Sequence, residues 1–219
     1  MRELIDKAYK LLTDFKGSGY VYGPGVLSKV GEAASSFGKK AILIRGTFPG
    51  SDTYVDIIKT SLKEKGVELV HIETGARPNA PKEDVKRIAN AIGRTKADVI
   101  ISFGGGSTID AVKAAEVLNT LGGDIEDYFG TGMVSKALIE SNKKLTPHVA
   151  IQTVASSASH LTKYSNVTDI VSGQKKLIVD EAIIPNYAIF DFTVTYNTPL
   201  SLTMDGALDG ISHSLEVLY

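Results

Sequence analysis

The 219-residue sequence contains no cysteine and no tryptophan. Without a thiol, a disulfide framework, a thiolate metal site and a cysteine nucleophile are all excluded. Charge of one sign is also missing: 24 Lys plus Arg stand against 25 Asp plus Glu, a formal net charge of −1. So balanced a chain offers no broad field for a nucleic-acid backbone or an anionic membrane. Long apolar runs are absent as well. No stretch reaches membrane-spanning length, and the opening residues MRELIDKAYKLLTDF carry charge throughout, with no apolar segment of the signal-peptide kind. The expectation is a cytoplasmic protein with neither nucleic acid nor membrane as partner.

What is present is ordinary globular material, 43% hydrophobic and 22% charged, enough for one α/β domain plus the beginning of a second. Between Gly25 and Ala150 helix-like and strand-like stretches alternate. The periodicity predicts helices over 26–37, 52–65, 82–92 and 107–121, and strands over 40–44, 67–72, 98–103 and 148–153. Strands separated by ten to fifteen residues of helical pattern imply βαβ units, hence a parallel sheet with right-handed crossovers. After Thr153 the character changes: Val171–Lys176 reads as a hairpin, and Leu200–Tyr219 returns to helical periodicity with no capping residue after Leu215. A boundary near 154 is expected, with one unit over 1–154 and another over 155–219.

The segment with most chemical content is GGGSTIDAVK, Gly104–Lys113, between a strand pattern and a helix pattern. Three glycines let backbone approach a bulky anion, and the N–H groups of the helix's first turn can hold phosphate oxygens. It is neither GxGxxG nor GxxxxGK[ST]. A tight strand-to-helix turn with no ligand is the competing interpretation. A second feature is Asp209 and His213, four apart in a helical pattern and so on one face. A carboxylate and an imidazole suit Fe²⁺ or Zn²⁺ better than Mg²⁺, although such a pair in isolation also reads as a surface hydrogen bond.

The longer string GGGSxxDxxK resembles the signature of the iron-containing, or group III, alcohol dehydrogenases. Tyr22–Gly25, Arg77–Asn79, Ile151–His160, Lys176, Ala188–Asp191 and Asp205–His213 follow in an order similar to that family's motifs. Departures are Gln152 for a proline, Ser156 and Ala158 for glycines, and His160 for a glutamate. The resemblance implies a Rossmann-like dinucleotide-binding domain, followed by the truncated start of an all-helical metal-binding domain. It puts the coenzyme pyrophosphate against Gly105, Gly106 and Ser107, sets Thr153, Val154 and Ser159 along the coenzyme, and gives Lys176 the nicotinamide-side ribose. Asp110 is expected to face inward and fix the loop, and His160 is either a cleft group or a structural one.

In that family an acidic residue after the first of these strands favours NAD; here the strand ends Ile44-Arg45-Gly46-Thr47, without a carboxylate. Gly46 makes room and Arg45 offers a charged fork, so the expectation leans to NADP(H), with NAD possible and a solvated Arg45 as the alternative. Asp209 and His213 match the family's first two metal ligands. Its two further histidines would follow Tyr219, and the sequence accommodates both a fragment of a longer enzyme and a short relative without turnover. The implied activity is hydride transfer between a small alcohol and its aldehyde or ketone, in a possible homo-oligomer. Glycerol-1-phosphate dehydrogenase and dehydroquinate synthase share the architecture and stand as the alternative, as does an inactive dinucleotide-binding fragment. No general acid or base is named by the sequence.

Overall fold

The computed structural model describes residues 2–156 and 158–218. Helices α1 (Arg2–Lys16), α2 (Val30–Ser35), α3 (Ser51–Glu64), α4 (Lys82–Thr95), α5 (Gly106–Leu121), α6 (Met133–Ser141) and α7 (Leu200–Glu216) alternate with strands. The strands are β1 (Tyr20–Gly23), β2 (Lys40–Arg45), β3 (Glu68–Thr74), β4 (Val99–Gly104), β5 (Gly130–Thr131), β6 (His148–Gln152), β7 (Tyr164–Asp169), β8 (Gln174–Val179) and β9 (Tyr187–Asp191). Six of them form a sheet in the order β1-β9-β6-β4-β2-β3, every pairing parallel. This is the parallel α/β sheet that the alternation implied and the Rossmann-like architecture that the resemblance implied.

Its central strands β2, β4 and β6 are buried on both faces because helices cover both. In β2, Ile42 and Ile44 pack beneath α4 and α5 with Val85, Ile88 and Val112, while Ala41 and Leu43 face α2 and α3 with Val30, Ile58 and Leu62. Gly31 is where α2 meets α3: a Cβ there would lie 2.0 Å from the Ser61 carbonyl oxygen, so no larger residue allows the approach.

The expected boundary near 154 does not coincide with the edge of the sheet. β9, from residues 187–191, inserts between β6 and β1. Asp191 closes this junction by accepting hydrogen bonds from the Gly25 and Leu27 N–H groups at 2.9 and 2.8 Å and from Thr193. Burial raises its carboxyl, but these donors outweigh that and hold it below the usual carboxylate range. The Tyr22–Gly25 and Ala188–Asp191 motifs, far apart in sequence, are therefore one structural joint.

β7 and β8 form the expected hairpin, antiparallel, and β5 adds to β8. α7 touches the rest through very little: Gly206 is its one buried residue among those described, and Leu200, Leu208, Ile211 and Leu215 are exposed. No helix of the described residues is long and apolar enough to cross a membrane.

Candidate functional site

In the sheet, the chain runs outward from β2 to β3, then reverses and lays β4 on the other side of β2. Ligands of open parallel sheets bind beyond the carboxyl ends of strands at such a reversal. Here those ends are Gly46 after β2 and Gly104–Gly105 after β4, tied by a hydrogen bond from the Gly46 N–H to the Phe103 carbonyl at 2.7 Å. Gly104 is required by packing: a Cβ would lie 2.7 Å from Thr108 Cβ, which tucks under the loop from the first turn of α5.

Gly105 is the N-cap of α5 and makes no side-chain cap. The first intrahelical bonds are from the Thr108 and Ile109 N–H groups to the Gly105 carbonyl, at 3.0 and 3.2 Å. The N–H groups of Gly106 and Ser107 accordingly have no hydrogen-bond partner among the described residues. Two free donors therefore stand at the positive end of a 16-residue helix, where the expectation placed an anion cradle.

The cradle separates two cavities. One, about 790 Å³ and largely apolar, is lined by Gly46, Phe48, Tyr54, Gly105 and Thr153, among others. The second, about 470 Å³, is lined by Ser107, Asn166, Lys175, Asp205 and Asp209, with Asp110 at its floor. Val154 and Leu202 border both. Ser107 is oriented from outside the loop, since its Oγ accepts the Asn79 N–H at 3.0 Å. Asn79 and Ala80 have φ of 66° and 48°, a left-handed pair that folds the 77–80 loop back toward the cradle.

Of the residues expected on the coenzyme, Gly46, Gly105, Gly106, Ser107, Thr153 and Val154 all line these cavities. Ser159 is placed differently: it is buried and donates its hydroxyl to Asp110, whose other oxygen accepts the Asn166 N–H at 3.0 Å. Asp110 does face inward, joining α5 to the 159–166 segment. Lys113 strengthens the joint, its buried ammonium donating to the Ser159, Thr162 and Tyr164 carbonyls at 2.7, 2.8 and 2.8 Å. Burial pushes this amine down to about 8, partly offset by Asp110.

Lys176 is turned away from the cleft. Cross-strand pairing sets it opposite Val167, a core residue, and its ammonium reaches Glu126 at 2.5 Å. Because neighbours on a strand point to opposite faces, Lys175 is the lysine that lines the polar cavity. The segment QKKLIV has no apolar alternation that would have given this parity.

His160 is structural in its packing, with its ring 5.4 Å from Tyr20 and 5.9 Å from Phe190. His148 is buried in β6, with its Nε2 2.7 Å from Ser102 Oγ. Burial first, and the nearby Lys113 second, depress both rings to about 3. Arg45, expected either as a charged fork or as a solvated surface charge, is engaged: one guanidinium nitrogen binds Asp52 and another donates to Ser51 Oγ at 2.6 Å.

Asp209 and His213 do share one face of α7, with His213 Nε2 3.4 Å from Asp209 Oδ1. The other Asp209 oxygen accepts from Ser156 at 3.0 Å. Glu216 Oε2 lies 3.6 Å from His213 Nδ1 on the same helix, but no group of three such side chains placed to hold a metal ion occurs among the described residues. Two donors do not close the coordination shell of iron or zinc, so the residues present do not by themselves fit a metal centre.

The profile of the iron-containing alcohol dehydrogenases matches residues 18–192. The chain belongs to that family. Among its relatives, NAD-dependent methanol dehydrogenase of Bacillus methanolicus is 30% identical over 197 residues, covering 90% of this chain and 50% of the relative. The 1,3-propanediol dehydrogenase of Klebsiella pneumoniae is 31% identical over 198 residues, covering 89% and 49%. The crystal structure of a 1,3-propanediol oxidoreductase superposes with a TM-score of 0.81 at 29% identity, over 90% of this chain and 50% of that one. The chain thus spans about half the length of the curated iron-containing alcohol dehydrogenases it matches.

Proposed function

We propose that this chain is the coenzyme-binding part of a nicotinamide-dependent alcohol dehydrogenase. The observation that carries the reading is the pair of free N–H groups at Gly106 and Ser107, set between an apolar and a polar cavity. A pyrophosphate held by these donors spans the cradle. Its adenosine end then fits the larger cavity, against Phe48 and Tyr54, and its nicotinamide end fits the polar one, toward Lys175 and Asp209. Lys175 is the cation available there to a ribose or phosphate oxygen. When bound, the coenzyme supplies a hydride acceptor or donor; the residues of this chain bind it, orient it and shield it from water through Val154 and Leu202.

The coenzyme we favour is NAD(H). The lean toward NADP(H) rested on the missing carboxylate, the room at Gly46 and the Arg45 fork, and of these the guanidinium is bound to Asp52 and Ser51. The open Asp209–His213 pair favours a second reading for the isolated chain, coenzyme binding without turnover, since no group of three side chains placed to hold a metal ion occurs among the described residues. Titration calorimetry with NADH, NADPH and ADP tests the assignment: saturable heat with ADP and NADH supports it, and no heat from any of the three overturns it. Absorbance at 340 nm with NAD⁺ and 1,3-propanediol separates the readings, because steady NADH formation by the purified chain excludes a binding-only role.

A further inference from the structure

The rim of the larger cavity carries an ion pair that the coenzyme-binding reading does not use. Arg45 closes β2 immediately before Gly46, and Asp52 lies in the first turn of α3 between Gly50 and Thr53; Gly46, Gly50 and Thr53 all line that cavity. Arg45 has its side chain 16% exposed, with Asp52 and Ser51 Oγ on its terminal nitrogens and its Nε 3.4 Å from the Gly46 carbonyl. Asp52 is 87% exposed and has Arg45 as its one ionic partner among the described residues. The fork that could receive a phosphate at this edge is occupied by an internal carboxylate.

Resting on the coenzyme-binding reading, we infer that Asp52 is a specificity-determining positioning residue: by holding the Arg45 guanidinium it denies that group to a 2′-phosphate and selects the coenzyme with a free 2′-hydroxyl. Two effects act in the same direction. The carboxylate competes with phosphate for the same donors, and its own negative charge repels a dianion brought to the rim. Removing the carboxylate reverses both, freeing one terminal nitrogen of Arg45, with the other still on Ser51, beside the glycine that makes room for the extra group.

The test measures NAD⁺ and NADP⁺ dissociation constants by calorimetry for the parent, Asp52→Ala, Arg45→Ala and the double variant. Asp52→Ala alters an exposed side chain and leaves the fold intact, which a thermal melt verifies. Its NADP⁺ preference relative to NAD⁺ should rise about tenfold, the size of one charge-assisted hydrogen-bonded contact, and the double variant should lose that gain. Asp52→Asn, which keeps a hydrogen-bond acceptor but no charge, should gain part of it. An equal gain in the double variant would overturn the inference, since Arg45 would then be irrelevant. Unchanged preference in Asp52→Ala, with NAD⁺ still binding, would overturn it too. Absence of binding by either coenzyme in the parent would instead remove the underlying coenzyme reading.

Discussion

Acid should unfold this protein through two interior imidazoles. His148 and His160 are buried, and both are held at about 3 against an ordinary 6.5 by loss of water and by the charge of Lys113. A depressed histidine means that the unfolded chain binds the proton more readily than the folded one between those two values. Stability is therefore highest above pH 6.5 and falls as the pH drops through 6.5 toward 3. At pH 5 each ring favours the unfolded chain by about 2 kcal/mol, and by pH 3 the loss reaches about 4 kcal/mol per ring. Urea unfolding at pH 7.5 and pH 5 should show a combined drop of about 4 kcal/mol. Replacing His148 by Gln should recover about half of it. Carboxylates contribute little in this window because their unfolded values lie near 4. An assigned NMR titration supplies the second check, in which neither ring moves above pH 5; a midpoint near 6.5 for either one would refute the reasoning.

Three further substitutions probe the site and its supports. Gly104→Ala places a methyl 2.7 Å from Thr108 Cβ and should tilt the first turn of α5. NADH affinity should then fall about tenfold, at a cost in stability of about 1–3 kcal/mol, read by calorimetry and urea melts. Gly206→Ala puts a methyl 1.8 Å from the Ala155 carbonyl oxygen, lifting α7 and the Asp209–His213 pair off the polar cavity. Limited proteolysis should cut within α7 faster, while the urea midpoint of the sheet domain stays put, because α7 buries so little. Lys96 ends α4 in a left-handed conformation at φ 47°, so Lys96→Gly should raise stability by about 0.5–1 kcal/mol in urea unfolding.

The sheet's helices and central strands were legible because each carries a clear period and a glycine or proline stop. Gly38, Gly66 and the Pro78–Pro81 loop punctuate units whose apolar faces point one way. β1 and β9 were not seen as strands. YVYG and YAIFD are too short to show a period, and β1 joins the sheet only through β9, Tyr20 pairing with Ala188, a partner no local pattern reveals. Gly105, Gly106 and Ser107 followed from a glycine-rich strand-to-helix turn that the sequence does mark, whereas Gly46, Thr153 and Val154 came from the resemblance to the family. Ser159 and Lys176 were placed by family order alone. One points into a buried network around Asp110, and the other lost its position to strand parity, a shift of a single residue that exchanges faces. Lys113 stood inside the quoted motif, but its three carbonyl partners come from a turn whose path is tertiary.

The insertion of β9 between β1 and β6 has a consequence for biogenesis. Strand β1 emerges from the ribosome first, yet has no neighbour in the sheet until residues 187–191 have been made. Throughout that interval β6 presents a bare hydrogen-bonding edge where β9 will seat. Vectorial folding of the sheet is thus barred until β9 is made: a nascent chain stalled before Asp191 carries an orphan strand and an open edge, the surfaces a holdase chaperone would cover.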